Sequence, residues 1–449
     1  MVANGQQQQW LIIGLGITGL SVARYLAAQG ITFAVADTRL HPPGLEELEL
    51  HWPDVDIWLG PLDASLTCSM STLVVSPGVS VSEPAIVAAR AAGVAVIGDV
   101  ELFCQAVTVP VIAITGSNAK STVTTLVGQM AARAGLHVGV GGNIGLPVLD
   151  LLQQGPHDCY VLELSSFQLE TTLSLQAKAS VILNISEDHL DRYASMEDYQ
   201  LAKQRIHHRS QCVIFNRDDD QTLPLHNRKA PQLSFGLSAP ATAHELGLVV
   251  HSGARWLARG EQLLMPTTAV PLAGEHGLAN ALAALALGYA AGWPDQPMCD
   301  AIRDFEALPH RCQRVAERGG ATWYNDSKAT NVGATLAAVR GLQQPDRALW
   351  LILGGEGKGQ DFSPFQTGLS NVRGVALIGR DAVIIAEHLP GHLHVEPCGT
   401  LPEAVNWLAT QVAPGDQVLL SPACASFDQF KGFAHRGEVF SQCVNNLPA

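Results

Sequence analysis

The chain has 449 residues, which at roughly 150 residues per domain gives about three domains. A hydrophobic fraction of 47% against 15% charged residues excludes a disordered chain. The net charge of −14 argues against a nucleic-acid partner but leaves room for a local basic pocket.

Short apolar runs rich in Val and Ile predict strands over 10–14, 32–37, 72–76, 109–115, 160–164, 181–185, 349–354, 375–379 and 417–421. Ala-rich helical patterns lie between many of them. This alternation predicts an α/β protein with mostly parallel sheets covered by helices. Ligands in such sheets bind beyond the carboxyl ends of the strands, so the residues after each run carry the information. Three blocks are expected, over 1–98, 99–308 and 309–449, with no internal repeat. The stretch 222–271 predicts shorter, more antiparallel strands added to the central sheet.

The first run is followed by Gly14-Leu-Gly16-Ile-Thr-Gly19 and a predicted helix over 20–29, and Asp37 ends the next strand. Such a turn lets backbone amides approach a diphosphate at a helix N-terminus. A tight turn with no ligand is the lesser reading of the same motif. Asp37-Thr38-Arg39 would suit a ribose, a uracil edge or a second phosphate.

The strand at 109–115 runs into Gly116-Ser-Asn-Ala119-Lys120-Ser121-Thr122. A cation at a helix N-terminus is electrostatically misplaced unless an anion binds there. The loop therefore reads as an ATP phosphate cradle, with Lys120 on the phosphates and the Ser121 hydroxyl on Mg²⁺. Glu163 sits in the otherwise apolar strand Tyr160-Val-Leu-Glu-Leu164, where a carboxylate is costly unless paired or bound to metal. The next strand leads to Glu187-Asp188-His189. If these strands are parallel neighbours, Ser121, Glu163 and His189 meet at one edge and suit Mg²⁺ beside phosphates.

Met196, Tyr199, Lys203 and Ile206 share one helical stripe, which turns Lys203 inward. The side chain could snorkel outward or pair with a carboxylate. A desolvated, neutral lysine could instead take up CO₂ as a carbamate and help bind metal. The longest weakly polar helical stretch, 279–293, is too short to span a bilayer. The third block carries Pro309-His310-Arg311, Asn325-Asp326-Ser327-Lys328-Ala329-Thr330-Asn331, Gly354-Gly355-Glu356-Gly357-Lys358 and Ser421-Pro422-Ala423-Cys424-Ala425-Ser426. Lys358, Thr330 and Ser426 would hold a small anionic substrate, and Cys424 reads as a buried packing residue. The nine cysteines are odd in number and contain no C-x-x-C pair, which favours a reducing compartment. The polar segment 1–9 lacks a signal-peptide pattern. A soluble, cytoplasmic protein is expected.

Together these motifs resemble the ATP-dependent Mur ligases of peptidoglycan synthesis, over essentially the whole chain. Gly116–Thr122 is similar to the family ATP loop, and Glu163-Leu-Ser-Ser-Phe-Gln-Leu169 and Asp188-His-Leu-Asp-Arg-Tyr193 to its central motifs. Asn325–Asn331 and the segment from Ser421 through Phe433 resemble the branch that adds D-glutamate, and no D-N-P-R-type motif of the diaminopimelate or lysine branch occurs. The resemblance implies a Rossmann-like first domain, a central ATP-binding domain and a Rossmann-like third domain. It implies ATP-dependent addition of D-glutamate to UDP-N-acetylmuramoyl-L-alanine through an acyl phosphate, by a monomer.

It further implies UDP-substrate contacts at Gly14, Ile17, Thr18, Asp37, Thr38, Arg39, Gly78, Asn143 and His189. ATP contacts would be Gly116, Ser117, Asn118, Ala119, Lys120, Ser121, Thr122, Asn280, Arg311, Asp326 and Lys328. D-glutamate contacts would be Thr330, Lys358, Ser426, Phe427 and Phe433. Two Mg²⁺ ions would fall to Ser121, Glu163, His189 and a carbamylated Lys203, with Lys120, Glu163, His189 and Lys203 as the catalytic set. The chain departs from the family at Ala119, where a glycine is usual, and at Gly277, where an asparagine commonly approaches adenine. At positive φ an alanine would cost on the order of 1 kcal/mol. A nicotinamide-dependent dehydrogenase would use the first glycine turn but leave the second loop and Lys203 idle. A folylpolyglutamate synthase would not need the first block.

Overall fold

Runs such as Trp10-Leu-Ile-Ile13 do not alternate polar with apolar, so a strand built from them must be covered on both faces. The computed structural model, which describes residues 9–448 apart from 273, 307 and 345, shows this in three sheets. The polar segment before residue 9 lies outside the described residues.

The first sheet contains β1 (Trp10–Ile13), β2 (Phe33–Asp37), β3 (Ile57–Leu59), β4 (Thr72–Val75) and β5 (Ala95–Ile97). All pairings are parallel, in the order β3-β2-β1-β4-β5. The order reverses at β1, which places a crevice beyond the ends of β1 and β4.

The second sheet contains β6 (Val111–Thr115), β7 (Val138–Gly142), β8 (Cys159–Glu163), β9 (Ala179–Ile182), β10 (Val213–Asn216), β11 (Gln232–Phe235), β12 (Glu245–His251), β13 (Ala254–Arg259) and β14 (Gln262–Pro266). Its order is β14-β13-β12-β11-β10-β9-β6-β8-β7. Because β6 lies between β8 and β9, the loops after all three open at one edge. The added stretch is less antiparallel than expected: β11 and β12 continue the parallel sheet, and only β12, β13 and β14 meander.

The third sheet contains β15 (Gln313–Arg318), β16 (Ala321–Asn325), β17 (Leu349–Gly354), β18 (Val372–Ile378), β19 (His394–Gly399) and β20 (Gln417–Leu420), in the order β15-β16-β20-β17-β18-β19. All its pairings are parallel except β15 with β16. The loops after β16, β17 and β20 therefore also open side by side.

Two expected boundaries move for local reasons. The helix expected over 20–29 runs Ile17–Ala28. Gly19 belongs inside it, since a Cβ there would lie 2.1 Å from the Gly14 carbonyl oxygen. The glycine is a close-approach residue rather than the end of a turn. The strand expected over 181–185 is Ala179–Ile182. Past it the Asn184 carbonyl accepts from the Ser117 amide at 2.9 Å, and the Ile185 amide donates to Asp219 at 2.8 Å, drawing the chain out of the ladder.

One apolar core joins the first sheet to the second. It includes Ile12, Leu20 and Val35 together with Val111, Tyr160 and Tyr199. Phe103 packs edge-on to Tyr160 across it. The third sheet has separate cores on its two faces, drawn from residues 312 onward. Among the described residues no helix is long and apolar enough to cross a membrane.

Arg436, in the helix Phe433–Asn445, is fully buried in the third unit. It donates to the Ser327 hydroxyl and carbonyl and to the Cys424 carbonyl, at 2.8 to 3.0 Å. It thereby ties the loop after β16 to the loop after β20. Arg436→Met should leave these acceptors bare and lower stability by about 3 kcal/mol. Denaturant unfolding monitored through the third unit's tryptophans, Trp323, Trp350 and Trp407, measures this.

Candidate active site

The loop after β6 is shaped by two unusual backbone positions. Gly116 has φ 156°, and Ala119 has φ 64° immediately before the helix Lys120–Arg133. The loop is held from β9's continuation. The Asn118 amide donates to the Asn184 side chain at 2.8 Å, and the Ser117 hydroxyl donates to the Ser186 carbonyl at 3.0 Å. Lys120 curls back so that its Nζ donates to the Gly116 carbonyl at 2.8 Å and the Ser117 carbonyl at 3.0 Å. Lys203 Nζ reaches the same Gly116 carbonyl at 2.9 Å.

The stripe reading of the helix Met196–Gln204 is confirmed: Tyr199, Lys203 and Ile206 are each 1% exposed. Lys203 lies over the Tyr199 ring, 4.5 Å from its centre. Burial, then the neighbouring Lys120, push its ammonium well below the usual lysine range. Lys120 is also lowered by burial, with Glu163 and Asp188 opposing.

Glu163, at the end of β8, is 2% exposed. One carboxylate oxygen accepts from Asn143 Nδ2 at 2.7 Å, while the other is buried with no partner among the described residues. His189 follows at φ 58°, edge-on to Phe167. Burial lowers its pKa, with Lys358, Lys120 and Lys203 acting in the same direction and Asp188 opposing. The imidazole is thus held neutral, the form that ligates metals.

The third unit closes the site. Arg311 donates to the Ser121 hydroxyl at 2.5 Å. Asp326 accepts from Ser421 at 2.8 Å and from the Cys312 amide at 3.1 Å, and burial pushes its pKa up to about 7. Lys328 sits 4.0 Å over the Phe433 ring, and burial brings it down to about 8. Thr330, Lys358, Ser426, Phe427 and Phe433 line one cavity of about 290 Å³ with Lys120, Ser121, Asn143, Glu163, His189 and Lys203. A second cavity of about 450 Å³ lies across the loop and is lined by Thr122, Gly277, Asn280 and Asp326. Asn118, Ala119, Arg311 and Lys328 line both, so the loop after β6 divides them.

The expected residues assemble unevenly. Among the described residues no three His, Cys, Asp or Glu side chains form a ready-made metal cluster. Ser121, Glu163, His189 and Lys203 face one cavity without a closed shell, as suits ions whose remaining ligands are phosphate oxygens. Gly14, Ile17, Thr18, Thr38, Arg39 and Gly78 lie apart from this cavity, around the ends of β1, β2 and β4; Ile17 is 74% exposed. Asp37, expected with Thr38 and Arg39 beside a ribose, a uracil edge or a second phosphate, has its carboxylate engaged within the chain. It is 1% exposed and accepts from the Leu15 amide at 2.6 Å and from the Arg39 amide and guanidinium at 2.7 to 2.9 Å. Its carboxylate braces the glycine turn from within.

Gly277 lies in the helix Gly274–Ala291, where a Cβ would meet the Leu272 carbonyl group at 2.7 Å, so this backbone excludes any side chain. Cys424 is fully buried and its thiol is pushed up to about 12 by burial, as befits a packing residue. Asn331 ends a cluster singled out in the sequence, but sequence reasoning gave it no role. It caps the helix Val332–Leu342 and exchanges hydrogen bonds with Asn118 across the two units, at 3.2 and 3.4 Å. The capping role was legible from an Asn before an apolar run, but nothing in the sequence pairs 331 with 118.

Three family descriptions cover the chain in succession: "Mur ligase MurD-like, N-terminal domain" over residues 8–98, "Mur ligase middle domain" over 114–288 and "Mur ligase, glutamate ligase domain" over 310–424. The UDP-N-acetylmuramoylalanine–D-glutamate ligase of Pseudomonas putida is 49% identical over 439 residues, 97% of each chain. The ligase of the same name from Pseudomonas aeruginosa is also 49% identical, covering 97% of this chain and 98% of its own. Among solved structures, Thermotoga maritima MurF ligase in complex with ADP superposes with a TM-score of 0.62 at 14% identity, covering 98% of both chains. UDP-N-acetylmuramate-alanine ligase MurC from Thermotoga maritima gives 0.59 at 18% identity, over 97% of this chain and 98% of its own. These two likenesses bear on the fold alone.

Ala119 holds a left-handed conformation that its Cβ disfavours. Ala119→Gly should therefore raise stability by ~1 kcal/mol, visible as a higher thermal midpoint.

Proposed function

Because the chain belongs to the Mur ligase family, we propose that it joins D-glutamate to UDP-N-acetylmuramoyl-L-alanine, cleaving ATP to ADP and phosphate. The observation that carries this reading is the shared cavity. The phosphate loop, the unpartnered oxygen of Glu163 and the cationic and hydroxyl side chains of the third unit face one space.

The L-alanine carboxylate attacks the γ-phosphorus of ATP, forming an O–P bond as the bridging bond to ADP breaks. The free amine of D-glutamate then attacks the acyl carbon. A C–N bond forms, the C–O bond to phosphate breaks and the amine gives up a proton. Lys120 and Arg311 flank the transferring group, and fixed charge in a water-poor site does most of the work. The second cavity takes the nucleoside end of ATP, with Asn280 at its wall. The residues at the first sheet's crevice, with Asn143 and His189 nearer the chemistry, take the UDP-sugar.

Magnesium would supply charge neutralisation here, held by Ser121, Glu163, His189 and a carbamylated Lys203. The fit rests on the bare Glu163 oxygen and the neutral His189. The depressed Lys203 offers a free amine whose lone pair can bond CO₂ with loss of one proton. Thr330, Lys358 and Ser426 fix the carboxylates of D-glutamate and so direct its amine. The reaction belongs to a cytoplasmic stage of peptidoglycan precursor synthesis, and a monomer suffices for it.

Phosphate release should require ATP, UDP-N-acetylmuramoyl-L-alanine and D-glutamate together. Release without the amino acid or the UDP-substrate would defeat the reading. L-glutamate should be turned over at least about 100-fold more slowly, because displacing the amine by ~1 Å costs that much; equal use of both enantiomers would sink the pocket assignment alone. Lys203→Ala should lower turnover by on the order of 100-fold, and Lys203→Arg should not restore it. Intact-protein mass with bicarbonate present should show one added CO₂ that the Ala variant lacks.

A further inference from the structure

Arg192 lies in the motif Asp188–Tyr193 but has no part in the chemistry above. Its backbone amide donates to the His189 carbonyl at 2.9 Å, closing the turn that carries His189. Its guanidinium stacks 4.2 Å from the centre of the Phe167 ring, the ring that packs edge-on to His189. The same guanidinium leaves the central unit. Nη1 donates to the Pro77 carbonyl at 3.1 Å and Nη2 to the Val79 carbonyl at 2.8 Å. Those carbonyls belong to the turn after β4. Glu170, 3.9 Å from Nη2, balances the charge without a hydrogen bond.

The turn after β4 is itself built onto the glycine turn of the first sheet. The Ser76 hydroxyl donates to the Gly14 carbonyl at 2.9 Å. A Cβ on Gly14 would lie 2.9 Å from Ser76 and 3.1 Å from Val79. An unbroken chain of contacts therefore runs from Gly14 through Ser76–Val79 and Arg192 to Phe167 and His189. A substrate held at one end by the glycine turn and reacting near His189 is sensitive to the distance between them.

We propose that Arg192 is a positioning residue that sets the register between the first sheet's substrate-anchoring turn and the His189 end of the reaction cavity. The inference rests on the ligase reading for its kinetic consequence. Two carbonyls on one turn need the planar fork of a guanidinium, and a lysine can serve only one of them. Loss of the fork leaves both ends of the site intact but lets their spacing drift, and ~1 Å of drift costs about 100-fold in rate.

The test compares Arg192→Met and Arg192→Lys with the unaltered chain. For Arg192→Met, kcat should fall about 100-fold. KM for ATP and for D-glutamate, and Kd for UDP alone by calorimetry, should stay within about threefold. Arg192→Lys should recover part of kcat. A merely structural residue would depress all these quantities along with the melting temperature, and lysine would not separate them. A kcat for Arg192→Met within about threefold of the unaltered chain overturns the proposal, as does a loss of UDP affinity matching the loss of kcat. Should Arg192→Met not fold, the same split in Arg192→Lys decides. If the unaltered chain shows no D-glutamate-dependent phosphate release, the ligase reading fails. Register is then read by hydrogen exchange. Amides of 14–19, 76, 78 and 79 should exchange faster in Arg192→Lys while those of 116–121 do not, and unchanged exchange at 14–19, 76, 78 and 79 overturns it.

Discussion

Five cationic side chains converge on one small cavity, and the rest of the site is arranged around that crowding. Lys120, Lys203, Arg311, Lys328 and Lys358 all line it, with Glu163 and Asp188 as its carboxylates. Two of the ammonium groups share a single carbonyl, that of Gly116. Like charges brought together out of water repel strongly, and burial with mutual repulsion accounts for the lowered lysines. In the proposed reaction a triphosphate would relieve the conflict for Lys120 and Arg311, and a carbamate would relieve it at Lys203 by putting an anion there. The strained Ala119, the pinned Asn118 and the double use of Gly116 all hold the loop in the shape that concentrates this charge.

The joints between units differ in kind. The first two sheets share a continuous apolar core, which fixes their relative placement by packing. The third unit meets the phosphate loop through polar groups, including Arg311 with Ser121 and Asn331 with Asn118. The helices Gly274–Ala291 and Val332–Leu342 also meet across this joint. Arg436 holds the loops after β16 and β20 together within the third unit.

Much of this was legible in the sequence because the chemistry sits where strands end. Lys120, Glu163 and His189 each follow or end an apolar run, and adjacent parallel strands bring such positions together without any knowledge of tertiary contacts. Lys203 was legible from helical spacing alone. What failed was local detail set by atoms distant in sequence. Gly19 read as the end of a turn because its neighbour Gly14 is invisible to periodicity. The bracing role of Asp37 was hidden because the Leu15 amide that it holds is 22 residues away. Asn331 and Arg192 act across units, and no pattern within one segment can announce a partner in another.

The division of the apolar cores also bears on how the chain is made. The helix Ile17–Ala28 covers the first sheet, and its outer side meets the helix Val148–Gln153 of the second unit, where Arg24 pairs with Asp150. The first unit therefore leaves the ribosome with its sheet covered but with this seam open until Val148–Gln153 has been synthesised. The third unit draws its cores from residues 312 onward and needs no such partner. The exposed interval in the life of this protein falls early, while the outer side of Ile17–Ala28 waits for Val148–Gln153.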